Sequence, residues 1–383
     1  MDKPTVQDIF HRFYPAYLDQ YSPSPVQAKV AHNIMNCKTG AYGANVCVCE
    51  DCGFVQIHYN SCRNRCCPMC QAVPKEMWMD ARREDVLDAP YFHLVFTVPD
   101  ILNPVIYSNQ RLLYDALYHA ASSTISELTA DPKHLGAKVG YICILHTWGS
   151  EMNFHPHIHT ILLGGGLASN NQWKDNGENF FLPIRVISKV FRGKYLEELK
   201  RLLEWDKLVF HGTAEKFRNH YTFKELLDSC YGMDWIPHCK KTFNGAQTVI
   251  KYLGKYTHRI AVSNHRIVRM DDDTVTFLVK DYRNEGQWKE LTISGVECVR
   301  RFLMHVPPRR FVRIRHYGLL CSRTKSQKLT LCRNLLGCKK YLSKLRDMEM
   351  PEILEHLYGI KVCVCKACGG HLGKPQMRMP LRC

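Results

Sequence analysis

Two spacings of apolar residues divide the chain into elements. At 6–14 and 25–35 they recur at helical intervals, the first run stopped by Pro15 and the second led in by Ser22-Pro23-Ser24-Pro25. A charge-rich helix over 74–87 precedes a strand over 91–99 that ends on Pro99. One or two helices follow over 100–130, where Ile106, Leu112, Leu113, Leu117 and Ala121 keep roughly helical spacing. Apolar runs at 139–146 and 155–163 flank the polar segment 148–154 and read as an antiparallel hairpin. Past a polar tip at 168–172, helices are expected from 184 to 203 and onward to 227. Val249, Ile250 and Leu253 mark another helix; strands over 259–270 and 274–282, a turn at 284–287 into a strand over 288–293, and a helix over 295–306 complete the pattern. These elements predict an α+β architecture in three parts. N-terminal helices and a Cys-rich zinc-ribbon module occupy 1–72, a central domain with helices covering an antiparallel sheet occupies 73–270, and a basic region occupies 271–383.

The second run of the hairpin carries His155-Pro156-His157-Ile158-His159 and closes on Gly164-Gly165-Gly166. Side chains alternate faces along a strand, so His157 and His159 point together while Ile158, Thr160 and Leu162 point away. Two neutral imidazoles so placed can hold a divalent cation. Across the hairpin His146 can come opposite the pair and complete a three-histidine site. Glu151 and His155, in the connection, are rival third ligands, Glu151 the better because hard cations prefer oxygen. His93, alone on its strand, reads as a hydrogen-bonded structural residue. Further along, Tyr252 and Tyr256 stand one turn apart on a single helix face.

Composition adds a partner class. The 383 residues are 45% hydrophobic and 23% charged, enough for a substantial core, and 52 Lys plus Arg against 36 Asp plus Glu leave a net charge of +16. Such a balance suits a polyanion, because counterions released from nucleic acid drive association. Charge alone leaves RNA, DNA and anionic membrane open. No run approaches the roughly 20 apolar residues of a membrane span, and residues 1–21 carry no signal-peptide core, so a cytoplasmic protein with no membrane partner is expected, nucleoid-associated when on DNA.

In that compartment the cysteines read as metal ligands. Of nineteen, eight stand at Cys37, Cys47, Cys49, Cys52, Cys62, Cys66, Cys67 and Cys70. Cys49-x-x-Cys52 and Cys67-x-x-Cys70 predict one tetrahedral zinc site, and Cys37, Cys47, Cys62 and Cys66, with His58 nearby, could close a second. Near the end, Cys363-x-Cys365-x-x-Cys368 looks like one knuckle of a further ribbon, closed by His371 or by Cys332 and Cys338. Arg63 and Arg65 are candidate DNA contacts within the Cys-rich module, as are Lys255 and Arg259 around the tyrosines. Arg309, Arg310, Arg313 and Arg315 interleave with aromatics over 307–317, a combination suited to phosphates and unpaired bases.

The motifs together resemble a known family. His157-Ile158-His159 is similar to the histidine-hydrophobic-histidine motif of HUH endonucleases, and Tyr252-x-x-x-Tyr256 to the paired tyrosines of the two-tyrosine rolling-circle transposases of insertion sequences, the IS-ninety-one-like group. Nearly the whole chain takes part, through Cys62-Arg63-Asn64-Arg65 with Cys67-Pro68-x-Cys70, His93-x-Val95-Phe96-Thr97-x-Pro99, His146-Thr147-Trp148-Gly149, Tyr252-Leu253-x-Lys255-Tyr256 and Arg313-x-Arg315-His316-Tyr317-Gly318. It departs at Asn45 and Cys66, where the family tends to carry histidines. The resemblance implies an HUH nuclease domain with an RRM-like or ferredoxin-like palm. It further implies a catalytic Mg²⁺ or Mn²⁺ ion, one or two structural Zn²⁺ ions, and cleavage and rejoining of single-stranded or locally melted DNA at element ends through 5′-phosphotyrosine intermediates.

A phenol with a pKa near 10 attacks a phosphodiester poorly unless the phosphate is polarised and aligned, which a cation on His157, His159 and His146 would provide. The covalent link stores the bond energy, and no Gly-x-x-x-x-Gly-Lys-Ser/Thr loop occurs, so no nucleotide cofactor is expected. Two other readings stand beside this one. A plasmid or phage replication initiator or relaxase shares the chemistry, but the Cys-rich module and the missing helicase argue against it. A zinc-dependent DNA-binding regulator would use the same residues structurally, without catalysis.

Overall fold

A computed structural model of the chain describes residues 3–176, 180, 182–235, 237–243, 249, 254, 261–281 and 285–378. Helix α1 (Val6–Gln20) begins in a reciprocal cap between Thr5 and Asp8, and α2 (Pro25–Met35) begins in the same arrangement between Ser24 and Gln27. The expected stop at Pro15 does not occur. Proline removes one backbone hydrogen bond, but Phe10 and Phe13 before it and Tyr17 after it are all buried, so packing holds the helix through the defect.

Strands β1 (Ala44–Val48) and β2 (Val55–Tyr59) pair as a Cys-rich hairpin, followed by α3 (Ala72–Arg83). The central region runs β3 (Tyr91–Thr97), α4 (Asn103–Ser108), α5 (Gln110–Ala130), β4 (Lys138–Trp148), β5 (Phe154–Leu167), β6 (Trp173–Asp175), α6 (Ile184–Glu204), α7 (His220–Gly232) and β7 (His238–Phe243). Then come β8 (Ile267–Met270), β9 (Thr274–Asp281), β10 (Gln287–Ser294), α8 (Gly295–Met304), β11 (Ile314–Gly318), α9 (Lys325–Leu336), α10 (Met350–Tyr358) and β12 (Gln376–Arg378). Among the described residues no helix is long and apolar enough to cross a membrane.

The largest sheet has the order β11-β4-β5-β3-β7, with β6 beside β5 and every neighbouring pair antiparallel. From β3 to β7 the chain runs β-α-β-β-α-β with β5 inserted between β3 and β4, a split βαβ arrangement in an α+β fold. Alternation gives the sheet two distinct faces. Tyr141, Cys143, Leu145, Ile158, Leu162, Phe92, Leu94 and Phe96 face α5, α6 and α7 in the main core. Ile142, Ile144, Ile161, Leu163 and Tyr91 face the other way, against Met79 of α3, Leu329 and Cys332 of α9, and Val249.

A second core joins α1 and α2 to β8, β9 and α8, with Phe10 and Phe302 edge to face at 5.2 Å. This core packs residues on either side of the expected divisions after residues 72 and 270 against one another. Short amphipathic helices need a foreign surface to cover their apolar stripe, and here that surface comes from the far side of the central region.

His305, at the end of α8, fastens this core to the β4–β5 connection. Its Nε2 lies 3.0 Å from the Met152 carbonyl, which can only accept, so Nε2 carries the proton and Nδ1 accepts from the Thr147 hydroxyl at 3.1 Å. Burial pulls its pKa from 6.5 down to about 4. Between those values the unfolded chain binds a proton that the folded chain refuses, so stability falls as pH drops through that window. A single such group contributes about 3 kcal/mol. Thermal unfolding followed from pH 7 to pH 4.5 should therefore show a shallower loss in His305→Gln than in the wild type; equal slopes would remove His305 from this role.

Candidate metal centre

Three histidines meet on the face of the sheet opposite α5 and α6. The β4–β5 register sets His146 opposite His157 and Ile144 opposite His159, so all three rings project to one side. Each is less than a tenth exposed, and their ring nitrogens lie within 4.8 Å of one another. His157 Nε2 and His159 Nε2 are 3.0 Å apart. That matches two neighbouring ligands on an octahedral cation with bonds of about 2.1 Å, which lie about 3.0 Å apart.

Tautomers favour the same reading. His157 Nδ1 lies 2.6 Å from the His155 carbonyl and must donate to it, leaving the Nε2 lone pair turned toward the other rings. His159 Nδ1 lies 2.9 Å from His93 Nε2. Burial, then the neighbouring His155, drives the His157 pKa down to about 3; burial, then His146 and His157, drives that of His159 well below 6.5. Neutral imidazoles with free lone pairs are what a cation requires. His146 is stacked on Trp148 at 4.4 Å. The rival ligands stay outside: Glu151 is exposed in the connection, and His155 Nδ1 donates to Asp100 at 3.2 Å. His93, expected to be a hydrogen-bonded structural residue, is hydrogen-bonded to the cluster itself, a partner that spacing could not name because only the β3–β5 register, with His93 opposite Ile161, brings it beside His159.

The cysteines sort differently from expectation. Cys67 and Cys70 gather with Cys37 and Cys62, whereas Cys49 and Cys52 gather with Cys365 and Cys368. The reason is the β1–β2 hairpin, which carries the Cys49–Cys52 turn at one end and Cys37 and Cys62 at the other. Five residues of strand separate the ends by about 16 Å, too far for one ion. In the first group the Cys62 and Cys70 sulfurs lie 3.8 Å apart, and hydrogen bonds from Cys62 and Cys67 pull the Cys70 thiol down to about 2. Cys47 and Cys66 join neither group. Cys66 is buried, its thiol pushed up to about 11, and Cys47 is buried behind Cys365. The tail knuckle is not closed as expected either: His371 lies against Glu50 at 3.3 Å, and Cys332 is buried on the sheet.

The basic candidates also separate. Arg63, Arg309 and Arg310 are exposed. Arg65 donates to the carbonyls of Pro308 and Phe311, tying the ribbon to that segment. Arg313 lies over the Trp148 ring at 5.4 Å, and Arg315 pairs with Asp115 and covers the Tyr118 ring at 4.0 Å. These last two are half-buried, because β11 docks on β4 and its register sets Arg315 beside Cys143 on the helix-covered face. Tyr252, Lys255, Tyr256 and Arg259 lie outside the described residues. Two neighbours are described: Val249 is buried with Ile142, Ile144 and Ile161 on the histidine face, and a Cβ at Gly254 would collide with Met79 of α3.

Residues 140–328 match the family described as "Putative transposase", and residues 9–98 match the "Transposase zinc-binding domain". A transposase with a zinc-binding N-terminal domain is thus the class in which the histidine and cysteine clusters stand. The chain is 40% identical over 369 residues to "Putative transposase y4qJ" of Sinorhizobium fredii, covering 95% of this chain and 93% of that one. It is 30% identical over 308 residues to the "Transposase for insertion sequence element IS801" of Pseudomonas savastanoi pv. phaseolicola, covering 79% of this chain and 72% of that one. The chain belongs to the IS91-like family of transposases. Among solved structures, the conjugative relaxase TrwC in complex with oriT DNA aligns with a TM-score of 0.24 and 16% identity over 29% of this chain and 44% of that one, too little to argue from.

Removing the His93 contact should loosen the His159 ring. His93→Ala is expected to weaken Mn²⁺ binding about 10–100-fold, the usual effect of losing a group that orients a metal-bound histidine. His93→Gln, which keeps a hydrogen-bonding group there, should lose less. Calorimetric titration of Mn²⁺ measures both, and unchanged affinity in the alanine variant would return His93 to a packing role.

Proposed function

We propose that this transposase cleaves and rejoins single-stranded or locally melted DNA at the ends of its element, by rolling-circle transposition through 5′-phosphotyrosine intermediates. The observation that carries the reading is the buried three-imidazole cluster, on the face of a split βαβ sheet opposite α5 and α6. Such a sheet agrees with the ferredoxin-like palm of an HUH nuclease. Supporting it, Val249 and Gly254, on either side of Tyr252 in the sequence, lie on the histidine face or against α3 beside it.

His146, His157 and His159 would hold Mg²⁺ or Mn²⁺, with Mn²⁺ the better match to nitrogen donors. When bound, the cation withdraws charge from the scissile phosphate and its leaving oxygen. The protein's own part is to keep the three lone pairs convergent, through the His155 carbonyl, the His93 ring and the Trp148 stack. Tyr252 or Tyr256 then attacks phosphorus, the bond to the 3′ oxygen breaks, the phenolic proton departs, and the freed 3′ oxygen takes up a proton. The second tyrosine would cut the other end while the first remains esterified. Zn²⁺ on Cys37, Cys62, Cys67 and Cys70 would hold the N-terminal ribbon, with the exposed Arg63 available to phosphates.

The test is incubation with end-derived single-stranded DNA and Mn²⁺, followed by denaturing electrophoresis. An SDS-resistant protein–DNA adduct is expected, and it should vanish in the Tyr252→Phe/Tyr256→Phe double variant. Wild-type protein that binds the DNA yet forms no adduct with Mg²⁺ or Mn²⁺ would favour the non-catalytic regulator. His157→Ala should cut cleavage by about 10²–10³-fold, the size of losing one electrostatic stabiliser of a transition state. Its affinity for single strands should change little, since phosphate contacts elsewhere carry binding; cleavage at the wild-type rate would exclude the histidine site as the catalytic centre.

A further inference from the structure

The cluster of Cys49, Cys52, Cys365 and Cys368 joins the two ends of the chain. The matched zinc-binding domain ends at residue 98, so it contains only half of this group. Cys49 Sγ lies 3.5 Å from Cys368 Sγ, and Cys52 Sγ lies 3.7 Å from Cys365 Sγ. Four thiolates around zinc, with Zn–S bonds of about 2.3 Å, sit about 3.8 Å apart. The two halves are also twins. In each, a Cys-x-x-Cys turn ends on a glycine with positive φ, Gly53 at 69° and Gly369 at 77°, whose N–H returns to the carbonyl of the first cysteine at 3.1 Å and 2.9 Å. The Ala367 and Gly370 N–H groups point at the Cys365 and Cys368 sulfurs, each at 3.4 Å, an arrangement that favours thiolates.

Backbone pairing holds the halves in register. Glu50 N–H donates to His371, and Gly373 N–H donates to Val48, while β12 extends the β1–β2 sheet. Upstream, side chains anchor the C-terminal region at α3, where Asp80 accepts from Tyr341, Ser343 and Leu345 and Glu84, just past the helix, pairs with Arg346, and further on Ile353 of α10 is buried. Beyond α10, the thiolate cluster and the β1–β12 pairing fasten the tail to the N-terminal ribbon.

We propose that these four cysteines form a second tetrathiolate zinc site, a clasp closing the C-terminal tail onto the N-terminal ribbon, and that its ion is the more readily lost of the two. Cys52 and Cys368 are exposed, whereas in the first cluster Cys37 and Cys67 are fully buried. Chelators and oxidants reach an ion through exposed thiolates, so the clasp opens first. Loss of its zinc frees residues 359–378 while the first cluster still holds the ribbon.

Zinc content of the full-length chain tests the assignment. The Cys365→Ser/Cys368→Ser variant should carry one zinc fewer per chain than the wild type and should be cleaved by protease within 359–378. Unchanged zinc content in that variant overturns the site. A second measurement uses the wild type alone: zinc is withdrawn stepwise with a chelator while freed thiols are alkylated and mapped by mass spectrometry. Early labelling of Cys49, Cys52, Cys365 and Cys368 together is expected. Early labelling of Cys37, Cys62, Cys67 and Cys70 would overturn the order of release, and labelling of Cys49 and Cys52 without Cys365 and Cys368 would overturn the shared ion. Neither measurement involves DNA cleavage, so the clasp stands or falls separately from the proposed chemistry.

Discussion

The register of β4 against β5 is the constraint on which the rest depends. With His146 opposite His157, the imidazoles converge on one face and Leu145 and Ile158 enter the main core on the other. A slip of one residue would exchange the faces, driving histidines under α5 and α6 and exposing a row of large apolar side chains. Gly164-Gly165-Gly166 helps to prevent it. A Cβ at these positions would press on Pro90 and Phe92, on Trp173, and on the Lys138 backbone, so β5 can lie between its neighbours only where these three residues fall. Histidine site and core packing are two results of one alignment.

That alignment places several bases in a setting that refuses protons. Burial keeps His157 and His159 neutral, and the ligating nitrogens of all three rings lie within 4.8 Å of one another. A divalent cation resolves this electrostatic mismatch better than a proton can. His93 and the His155 carbonyl fix the rings from behind, and His305 with Thr147 and Met152 steadies the turn that follows His146. Charge is handled inversely at β11 and just before it, where Arg313 and Arg315 lie against Trp148 and Tyr118 and Arg315 pairs with Asp115. Much of the +16 net charge must therefore act from elsewhere, and Arg63, Arg309 and Arg310 remain outward.

The ends of the chain follow a common plan. Two five-residue strands such as β1 and β2 bury too little to fold alone, and a four-cysteine cluster stands at each end of their hairpin, where metal–thiolate bonds would replace the missing core. Meanwhile α1 and α2 find their apolar cover on α8 and β9, elements more than two hundred residues distant in the sequence. Both solutions draw late segments back to the N-terminus, so the molecule is closed around the central sheet.

Much of this was legible beforehand because it depends on short-range periodicity. Alternation alone put His157 and His159 on one face, the polar break after His146 announced the hairpin, and Ser22-Pro23-Ser24-Pro25 announced α2. Pro15 misled, because local cost was outweighed by burial that only the folded partner provides. The thiolate pairings and the role of His93 were not legible for a related reason. Cys-x-x-Cys-Gly occurs at Cys49 and again at Cys365, a repeat visible in the sequence, yet spacing says which cysteines can form a knuckle and nothing about which knuckles meet. Sequence by itself determined the ligand types, the faces they occupy and the family to which they point. Tertiary structure alone decided the sets, since bringing Cys52 to Cys365, or His93 to His159, depends on sheet order and register across the whole chain, and those are set by the global burial of apolar faces.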